Sequence, residues 1–357
     1  AGLRDVAVDA VIGCEQPWRY RNKMDFTFSA SRWVLASEPE GVERGFALGL
    51  HPKEQFRKVL DIESCEIQCA AGDALVRDAR RLARERGLSA WNLDTHTGLL
   101  RHLVLRNSVA TGEVLVQLVT SEEAPELVLP YVADLLAAHP EVTTLVQTIN
   151  TKLATIAVGE RELVLHGSGL IRERLRGLWF EISAASFFQT NSAQAEMLVD
   201  VVVEEARCTS GDTLLDLYCG AGTLSLPLAR CARSVHGVEL VESAVADARR
   251  NALANGISNA TFAAGDALAW LEQARSADCD VLVVDPPRAG LHAKVAAIIA
   301  ASRARRCVYV SCNALAAARD LALLRAAGWC IERARPLDLF PHTPHVECVF
   351  SLTRNTS

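Results

Sequence analysis

A cysteine and a glutamate in the last third of the chain have the types and settings needed for covalent chemistry on a pyrimidine base. Cys312 follows the apolar run 307–310, and Glu347 lies at the start of the last β-rich run, 346–352. A thiolate that adds to C6 of uracil turns C5 into a nucleophile that can accept a methyl group. A base must then remove the C5 proton so that the thiol can be eliminated. The sequence therefore predicts Cys312 as nucleophile and Glu347 as base.

Acidic residues at the ends of three successive predicted strands indicate the methyl donor. The segment 214–223 is a predicted strand that contains Asp216 and leads into a glycine turn at Gly220, where a helix begins and offers free N–H groups. Glu239 ends the next strand, where a carboxylate receives ribose hydroxyls, and Asp266 ends the third, where it is placed to accept from an adenine amino group. Two glycines are too few for the full dinucleotide pattern. This set predicts S-adenosylmethionine (SAM) as the cofactor.

The segment Asp285-Pro286-Pro287-Arg288-Ala289-Gly290 follows the fourth predicted strand. Methyltransferases that act on exocyclic amino groups carry an aromatic residue after the two prolines, where this chain has Arg288. The difference argues against amino-group methylation and for another source of reactivity, which Cys312 supplies. Structural alternatives exist: a cysteine is often a small buried apolar residue, and Glu347 could be a surface residue of an edge strand.

The elements that must position these residues divide the chain into two domains. Residues 198–352 alternate β-rich runs with Ala-rich helices, which is typical of βαβ units in a doubly wound α/β, Rossmann-like domain. The expected strands of this domain are 213–217, 234–238, 260–264, 280–284, 307–310, 330–337 and 346–352.

The first half has a different pattern, α+β, with helices near 66–86 and 125–139 and a hairpin formed by 100–107 and 114–120. The helices expected in the second half include 222–231, 242–255 and 315–327. The predicted division is residues 1–185, as an α+β substrate or RNA-binding domain, and residues 186–357, as the methyltransferase catalytic domain.

Composition excludes several classes of protein. With 50% hydrophobic and 22% charged residues, the chain has the profile of a soluble globular protein, and no apolar run approaches the roughly 18 residues of a membrane helix. The net charge of −6 does not by itself predict a nucleic-acid partner. Eleven cysteines spread over 357 residues favour a reducing compartment over a disulfide framework. We expect a cytoplasmic monomer that has no contact with membranes.

Taken together, these segments resemble the SAM-dependent RNA uracil-5-methyltransferases, which make 5-methyluridine in transfer RNA and large-subunit ribosomal RNA. The resemblance implies RNA as the partner, a class I methyltransferase fold, Cys312 as nucleophile and Glu347 as proton acceptor. It extends over most of the chain, through the segments 18–23, 187–191, 216–222, 285–290, 311–313 and 340–347.

The resemblance also implies the residues that line the sites. The cofactor residues would be Gln189, Tyr218, Gly220, Thr223, Glu239, Asp266 and Asp285. Gln189 and Asp285 would also contact the uracil, and Arg21 and Lys23 would meet RNA phosphates and bases in the substrate domain. Many family members have Asn where this chain has Thr223, and Thr keeps a hydrogen-bonding group.

Two accessory features of the family are expected to be absent. Many members begin with a small β-barrel RNA-binding module, which is not found in this sequence. Some hold a four-iron cluster on four cysteines; Cys65 resembles the fourth ligand, but the closely spaced trio is missing, so we expect no cluster in this polypeptide. His342 and His345 have no unassigned cysteine or carboxylate at ligand spacing, so we expect no metal there.

Two other functions use related features. An RNA or DNA cytosine-5-methyltransferase shares the thiolate chemistry, but such enzymes usually place a proline directly before the nucleophilic cysteine, and Ser311 precedes Cys312 here. A non-catalytic RNA-folding or RNA-binding protein could keep the same fold. The presence of Cys312, Glu347 and Asp285 argues against that interpretation.

Overall fold

The computed structural model describes residues 6–42, 44–52, 54–55, 57–154, 156–274 and 279–354. The chain forms two compact units. Trp18–Glu173 is the inserted unit, and Ala1–Pro17 together with Arg174–Ser357 is the main unit. No described helix is both long enough and apolar enough to cross a bilayer.

The inserted unit follows a short strand of the main unit, β1 (Ala7–Val8). Its seven-stranded sheet has the order β4-β3-β2-β5-β6-β7-β8, with β6 and β7 parallel and the other neighbours antiparallel. The elements are β2 (Lys23–Ser29), β3 (Ala47–Leu50), β4 (Leu60–Asp61), α1 (Ala70–Glu85), β5 (Leu100–Asn107), β6 (Val114–Thr120), α2 (Pro125–Ala138), β7 (Val142–Ile149) and β8 (Arg161–His166).

Alternation along the strands explains how this sheet buries one face. Phe26 on β2 and Leu103 on β5 are cross-strand neighbours, both fully buried, and they share a core with Leu75 of α1 and Val128 of α2. Since side chains alternate between faces, the apolar set of each strand faces the helices together. The predicted hairpin of β5 and β6 is confirmed in position.

The main unit contains an eight-stranded sheet in the order β1-β16-β17-β15-β14-β11-β12-β13. Strands β11 to β15 run parallel to one another, whereas β17 runs antiparallel to both β15 and β16. The elements are β9 (Leu170–Leu175), β10 (Leu178–Ser183), α3 (Ser192–Ala206), β11 (Thr213–Leu217), α4 (Ser225–Ala229), β12 (Ser234–Glu239), α5 (Glu242–Ala254), β13 (Ala260–Ala264), α6 (Ala267–Ala274), β14 (Val281–Val284), α7 (Ala293–Ala301), β15 (Arg306–Ser311), α8 (Ala314–Ala326), β16 (Trp329–Leu337) and β17 (Glu347–Arg354).

Both faces of this sheet are covered by apolar side chains. All four residues of β14 are fully buried: Leu282 and Val284 belong to one core, and Val281 and Val283 belong to the other. A parallel strand that is buried on both faces has a continuous apolar sequence rather than an alternating one, as the run VLVV shows. The predicted doubly wound α/β fold of this half is confirmed.

The division between the units differs from the predicted boundary at residue 185. The N-terminal segment belongs to the main unit, because β1 pairs in parallel with β16, and Ile12 and Leu337 form a further bridge. Strand β10 also belongs to the main unit rather than to the first half: the amides of Trp179 and Glu181 donate to the side chains of Asn255 (2.8 Å) and Asn251 (2.7 Å) at the end of α5. A two-residue strand and a hairpin carry too little periodic pattern to be assigned to a domain from sequence.

The predicted helices were close to the observed ones except after the glycine turn. The expected helix 222–231 is only the five-residue α4. Gly222 has a φ of +86°, a left-handed conformation that a helix cannot contain, so regular helix starts later. The turn therefore occupies more of the chain than the sequence pattern indicated.

Candidate active site

The register of β15 and β17 places Cys312 beside Glu347. Val310 lies opposite Val349 and Ser311 opposite Cys348, so the next pair in the antiparallel register is Cys312 and Glu347. Cross-strand neighbours point to the same face of a sheet. Glu347 is buried, 4% exposed, on a strand with neighbours on both sides. The alternative of a surface glutamate on an edge strand is therefore wrong.

Asp285 lies on the same face. It follows β14, whose last residue Val284 pairs with Tyr309 of β15, so Asp285 comes next to Val310. Val310 is two residues before Cys312, and residues two apart on a strand share a face. The nucleophile candidate, the base candidate and Asp285 thus meet at the carboxyl end of the parallel strands, where ligands bind in open α/β sheets.

Burial and mutual repulsion set the charge of this cluster. Burial, with a smaller contribution from Asp285, raises the pKa of Glu347 from 4.5 to about 9. Burial also raises the pKa of Asp285 from 3.8 to about 7. The pKa of the Cys312 thiol is raised by its own burial and by the neighbouring carboxylates of Glu347 and Asp285, whereas Arg288 lowers it. The thiolate is therefore favoured when the two carboxyls are neutral and Arg288 is close.

A cleft of about 440 Å³ of empty space opens beside this cluster. Asp216, on β11, is fully buried at its wall, and Oδ2 accepts a hydrogen bond from Ser225 Oγ at 2.5 Å. Oδ1 has no hydrogen-bond partner among the described residues, and burial raises the pKa of this carboxyl to about 7. The cleft is lined by Phe187, Gln189, Ala195, Leu198, Val199, Asp216, Tyr218, Cys219, Gly220, Ala221, Thr223, Leu224 and Asp285.

The glycine turn that forms one wall is held by a carboxylate. Glu239, at the end of β12, accepts from the amide of Gly220 through Oε2 (3.1 Å) and from the amide of Val241 through Oε1 (2.9 Å). Tyr218 has a φ of +68°, which is uncommon for a residue with a side chain and places the tyrosine in the cleft wall. Strain of this kind concentrates at functional sites, where the fold stabilises it.

A glycine is required behind this turn. A Cβ on Gly237 of β12 would lie 2.6 Å from the ring of Phe262 and 2.7 Å from Cys219 Sγ. Cys219 is buried, and its thiol fills the space that Gly237 leaves. The packing of β12 against the turn thus requires a residue without a side chain at position 237.

The cleft brings together five of the seven predicted cofactor residues: Gln189, Tyr218, Gly220, Thr223 and Asp285. The other two lie beside the turn or beyond it. Glu239 touches the Gly220 amide, as described, and Asp266 lies between β13 and α6, where its Oδ1 accepts from the amide of Ala269 at 3.0 Å. Asp266 also contributes to raising the pKa of Tyr218 to about 12, after the effect of burial.

The predicted RNA contacts Arg21 and Lys23 lie in the inserted unit, at the start of β2. Arg21 Nε donates to the carbonyl of Lys23 (3.0 Å). Burial, together with the charges of Arg106 and Arg21, lowers the pKa of Lys23 to about 8. Arg106 is the cross-strand neighbour of Lys23 on β5, so two cations face each other. Like charges in this position destabilise a sheet.

The segment that carries these cations is attached to α1 through one buried carboxylate. Asp73 accepts from Arg19 Nη1 through Oδ2 (2.7 Å), and its Oδ1 accepts from the amide of Cys65 (2.9 Å) and from Gln68 Nε2 (3.1 Å). Arg19 has a φ of +57° and precedes Arg21 by two residues. Asp73 thus fixes both the turn before β2 and the turn before α1.

Sequence reasoning missed the residues that hold the catalytic groups. Asn313 caps α8 by accepting from the amides of Leu315 and Ala316, and its Nδ2 donates to the carbonyl of Arg288 (3.0 Å). Asn191 caps α3 and donates to the carbonyl of Leu339 (3.2 Å). An asparagine just before an apolar helical run is a capping signal. The sequence could therefore have predicted that both asparagines cap helices, but not that they also donate to the carbonyls of Arg288 and Leu339.

Comparison with protein families gives a match over residues 141–355 to the family described as tRNA (Uracil-5-)-methyltransferase. Related proteins match over most of their length. A protein of Bacillus cereus named an uncharacterized RNA methyltransferase is 36% identical over 99% of this chain and 75% of its own. One of the same description from Porphyromonas gingivalis is 41% identical over 97% of this chain and 77% of its own.

A solved structure has the same fold over nearly the whole chain. The Pyrococcus abyssi tRNA (uracil-54, C5)-methyltransferase, in complex with S-adenosyl-L-homocysteine, is 31% identical, with a TM-score of 0.75 over 98% of this chain and 79% of its own. The expected methyltransferase fold and the family resemblance are both confirmed. The chain belongs to the tRNA (uracil-5-)-methyltransferase family.

Proposed function

We propose that the protein transfers a methyl group from SAM to C5 of a uridine in structured RNA, transfer or ribosomal, through a covalent adduct between Cys312 and C6. The observation that carries this proposal is the cross-strand placement of Cys312 beside Glu347, with Asp285 on the same face and the cleft alongside. Membership of the family supports the reaction type. The product of methyl transfer in the Pyrococcus structure supports the cofactor.

The side chains in and beside the cleft suit the polar groups of SAM. Asp216 Oδ1 is a buried acceptor without a hydrogen-bond partner among the described residues, which suits an ammonium group. Glu239 ends β12 and Asp266 follows β13, and we assign them to the ribose and the adenine respectively. Gln189, Tyr218, Gly220, Thr223 and Asp285 would complete the cofactor site. When bound, SAM supplies a methyl group on a positively charged sulfur, an electrophile for carbon.

The chain's own residues carry the rest of the reaction. The Cys312 thiolate forms a bond to C6, and the electron pair of the C5–C6 double bond moves onto C5 and O4. C5 would then form its bond to the methyl carbon as the bond between that carbon and the donor sulfur breaks, with its electron pair left on the sulfur. Glu347 takes the C5 proton, the C5–C6 double bond forms again and the Cys312 sulfur leaves as thiolate. The complete sequence of steps returns the protein to its starting state except for one proton on Glu347.

The burial of Glu347 fits a base that must remove a proton from carbon. A carboxylate whose pKa is raised to about 9 binds a proton more strongly than one in water. It must be ionised to act, so we expect the methylation rate to rise with pH towards about 9. Gln189 and Asp285 line the cleft, and we assign them to the polar edge of the uracil. The inserted unit, through Arg21 and Lys23, would bind the surrounding RNA.

Transfer of labelled methyl from SAM to cellular RNA tests the reaction. Transfer and ribosomal fractions are assayed separately, and the labelled nucleoside is identified. We expect label in 5-methyluridine, and the labelled fraction names the substrate class. Label in 5-methylcytidine would replace this proposal with cytosine methylation. The absence of label in every fraction would favour a binding protein on the same fold.

RNA that contains 5-fluorouridine tests the covalent step. After methylation, a fluorinated C5 carries no proton for Glu347 to remove, so the adduct with Cys312 should accumulate and survive denaturing electrophoresis. Cys312→Ala should abolish both the adduct and methylation. Cys330→Ala is the matched control, because Cys330 is an exposed cysteine on β16 of the same unit. An adduct that persists in Cys312→Ala would refute the assignment.

A further inference from the structure

Arg288 lies at the position where amino-group methyltransferases have an aromatic residue. The proposed methylation steps, which use Cys312 and Glu347, give Arg288 no contact with substrate. Its side chain is exposed, three residues after Asp285. Nη2 lies 3.2 Å from Nδ1 of His345, and no carboxylate among the described residues lies within ion-pair distance of this guanidinium. A positive charge is therefore held at the active site without an acidic partner.

The backbone around Arg288 is fixed by two independent contacts. Its carbonyl accepts from Asn313 Nδ2 at 3.0 Å, and Asn313 follows Cys312 directly. The carbonyl of Ala289 accepts from Arg319 Nη2 of α8 at 2.9 Å. The charge of Arg288 is felt by Cys312, since it lowers the pKa of that thiol. Arg288 is thus positioned beside the nucleophile rather than swinging freely from a loop.

His345 directs the guanidinium. Arginine only donates hydrogen bonds, so Nδ1 of His345 accepts and the ring proton lies on Nε2. The imidazole packs edge-on against Phe340, with ring centroids 6.4 Å apart. His345 also precedes Glu347 by two residues, so it lies in the segment that leads into β17, the strand of the base. The hydrogen bond to His345 therefore orients the Arg288 guanidinium beside the site.

A uridine that leaves the RNA stack to reach Cys312 brings its own phosphates with it. The base enters the site, and the phosphates on either side of its ribose stay at the mouth, one sugar away from the reacting carbons. Resting on the function proposed above, we propose that Arg288, oriented by His345, binds a phosphate of the uridine that is methylated. Guanidinium groups suit phosphate because their parallel N–H donors match its oxygens.

Protection of Cys312 from alkylation tests this directly, without methyl transfer. The protein is treated with iodoacetamide at alkaline pH, and modification of the Cys312 peptide is followed by mass spectrometry. The probes are uridine and uridine 3′,5′-bisphosphate, which share the base and sugar and differ in the phosphates. We expect the bisphosphate to protect at about tenfold lower concentration than uridine, the gain of one charged hydrogen-bonded contact.

The variant is Arg288→Gln, and its matched control is Arg303→Gln. Arg303 is an exposed arginine of the same unit that precedes β15, at the opposite end of the strand from Cys312. Arg288→Gln should lose the preference for the bisphosphate while keeping protection by uridine, and Arg303→Gln should keep both. His345→Gln should weaken the preference partly. Each preference is a ratio within one variant, so a changed alkylation rate does not affect it.

The remaining outcomes overturn the inference in distinguishable ways. An equal preference in wild type and Arg288→Gln would remove the phosphate contact and leave the proposed function standing. Slower alkylation of Arg288→Gln with an unchanged preference would show that the arginine acts on the thiol alone. Protection by neither probe would remove the uridine site, and the proposed function with it.

Discussion

Replacing the carboxyl group of Glu347, the proposed base, should make the protein more stable and at the same time abolish turnover. Glu347 is 4% exposed, and burial, with help from Asp285, raises its pKa from 4.5 to about 9. The folded protein therefore keeps a proton that the unfolded chain loses above about pH 4.5. Because the folded state binds more protons, stability falls as pH rises between these two values. Glu347→Gln removes this penalty, since an amide imitates the neutral carboxyl and does not ionise.

The size of the effect follows from the two pKa values. A pH of about 7.5 lies about three units above the ordinary pKa of 4.5, so the unfolded carboxyl is ionised while the folded one is still protonated. At about 1.4 kcal/mol per unit, the penalty on the free energy of unfolding reaches about 4 kcal/mol. Asp285 shares the same charge repulsion, so part of that penalty belongs to the pair. We expect Glu347→Gln to raise the free energy of unfolding by about 2–4 kcal/mol at this pH.

Urea unfolding followed by circular dichroism measures this difference. The midpoint of the main-unit transition is compared between wild type and Glu347→Gln at about pH 4 and at about pH 8. The two proteins should unfold at similar urea concentrations in acid, and the variant should need more urea in alkali. Glu15→Gln is the control, because Glu15 is an exposed glutamate of the same unit.

A gain that is equal at both pH values would refute the reasoning, because linkage requires it to grow with pH. A variant less stable than wild type at about pH 8 would also refute it, since it would mean that the ionised carboxylate has favourable partners in the fold. The Glu15→Gln control should change little at either pH.

Three further variants test the supports of the two units. Asn313→Ala removes the cap of α8 and should lower the free energy of unfolding, measured by thermal unfolding, by about 1–2 kcal/mol. We expect kcat to fall by a larger factor than KM rises. Asp73→Ala removes the buried carboxylate that accepts from the half-buried amide of Cys65 and pairs with Arg19, and should destabilise the inserted unit by about 3 kcal/mol, measured by hydrogen exchange in α1; a change confined to the main unit would contradict this. Gly237→Ala forces Cys219 aside and should weaken SAM binding by calorimetry, at a cost of about 1–3 kcal/mol in stability; unchanged SAM affinity would refute it.

Much of the main unit could be predicted from sequence because its strands are buried on both faces. Continuous apolar runs bounded by turns identify such strands, and the residues that follow them lie at one edge of the sheet. That is why Cys312, Asp285 and Glu239 could be placed together without coordinates. The predicted hairpin of β5 and β6 had both strand alternation and a glycine at the turn, Gly112, with a φ of +74°.

The remaining features depend on contacts distant in sequence. The parallel pairing of Ala7–Val8 with β16 has no local pattern, because two residues have no period. The burial of Glu347 could not be predicted either, since it requires β16 to pair with β17 and place Leu337 opposite Glu347. Asp266 is predicted from the sequence to face the adenine of the cofactor, and in the structure its Oδ1 accepts a hydrogen bond from the amide of Ala269. A carboxylate at a strand end serves equally as a ligand group or as a helix cap, and sequence does not distinguish the two.

The N-terminal strand of the main unit also bears on the order in which the protein is made. Val8 pairs with Ala334 and Ile12 with Leu337, so these contacts join residues more than three hundred positions apart. The inserted unit is continuous in sequence and is complete once Glu173 has left the ribosome. Until residues near 337 are synthesised, Ala7, Val8 and Ile12 have no strand to pair with. The inserted unit should therefore fold first during synthesis, with the catalytic sheet completed last and activity appearing only after residues near 347 have been synthesised.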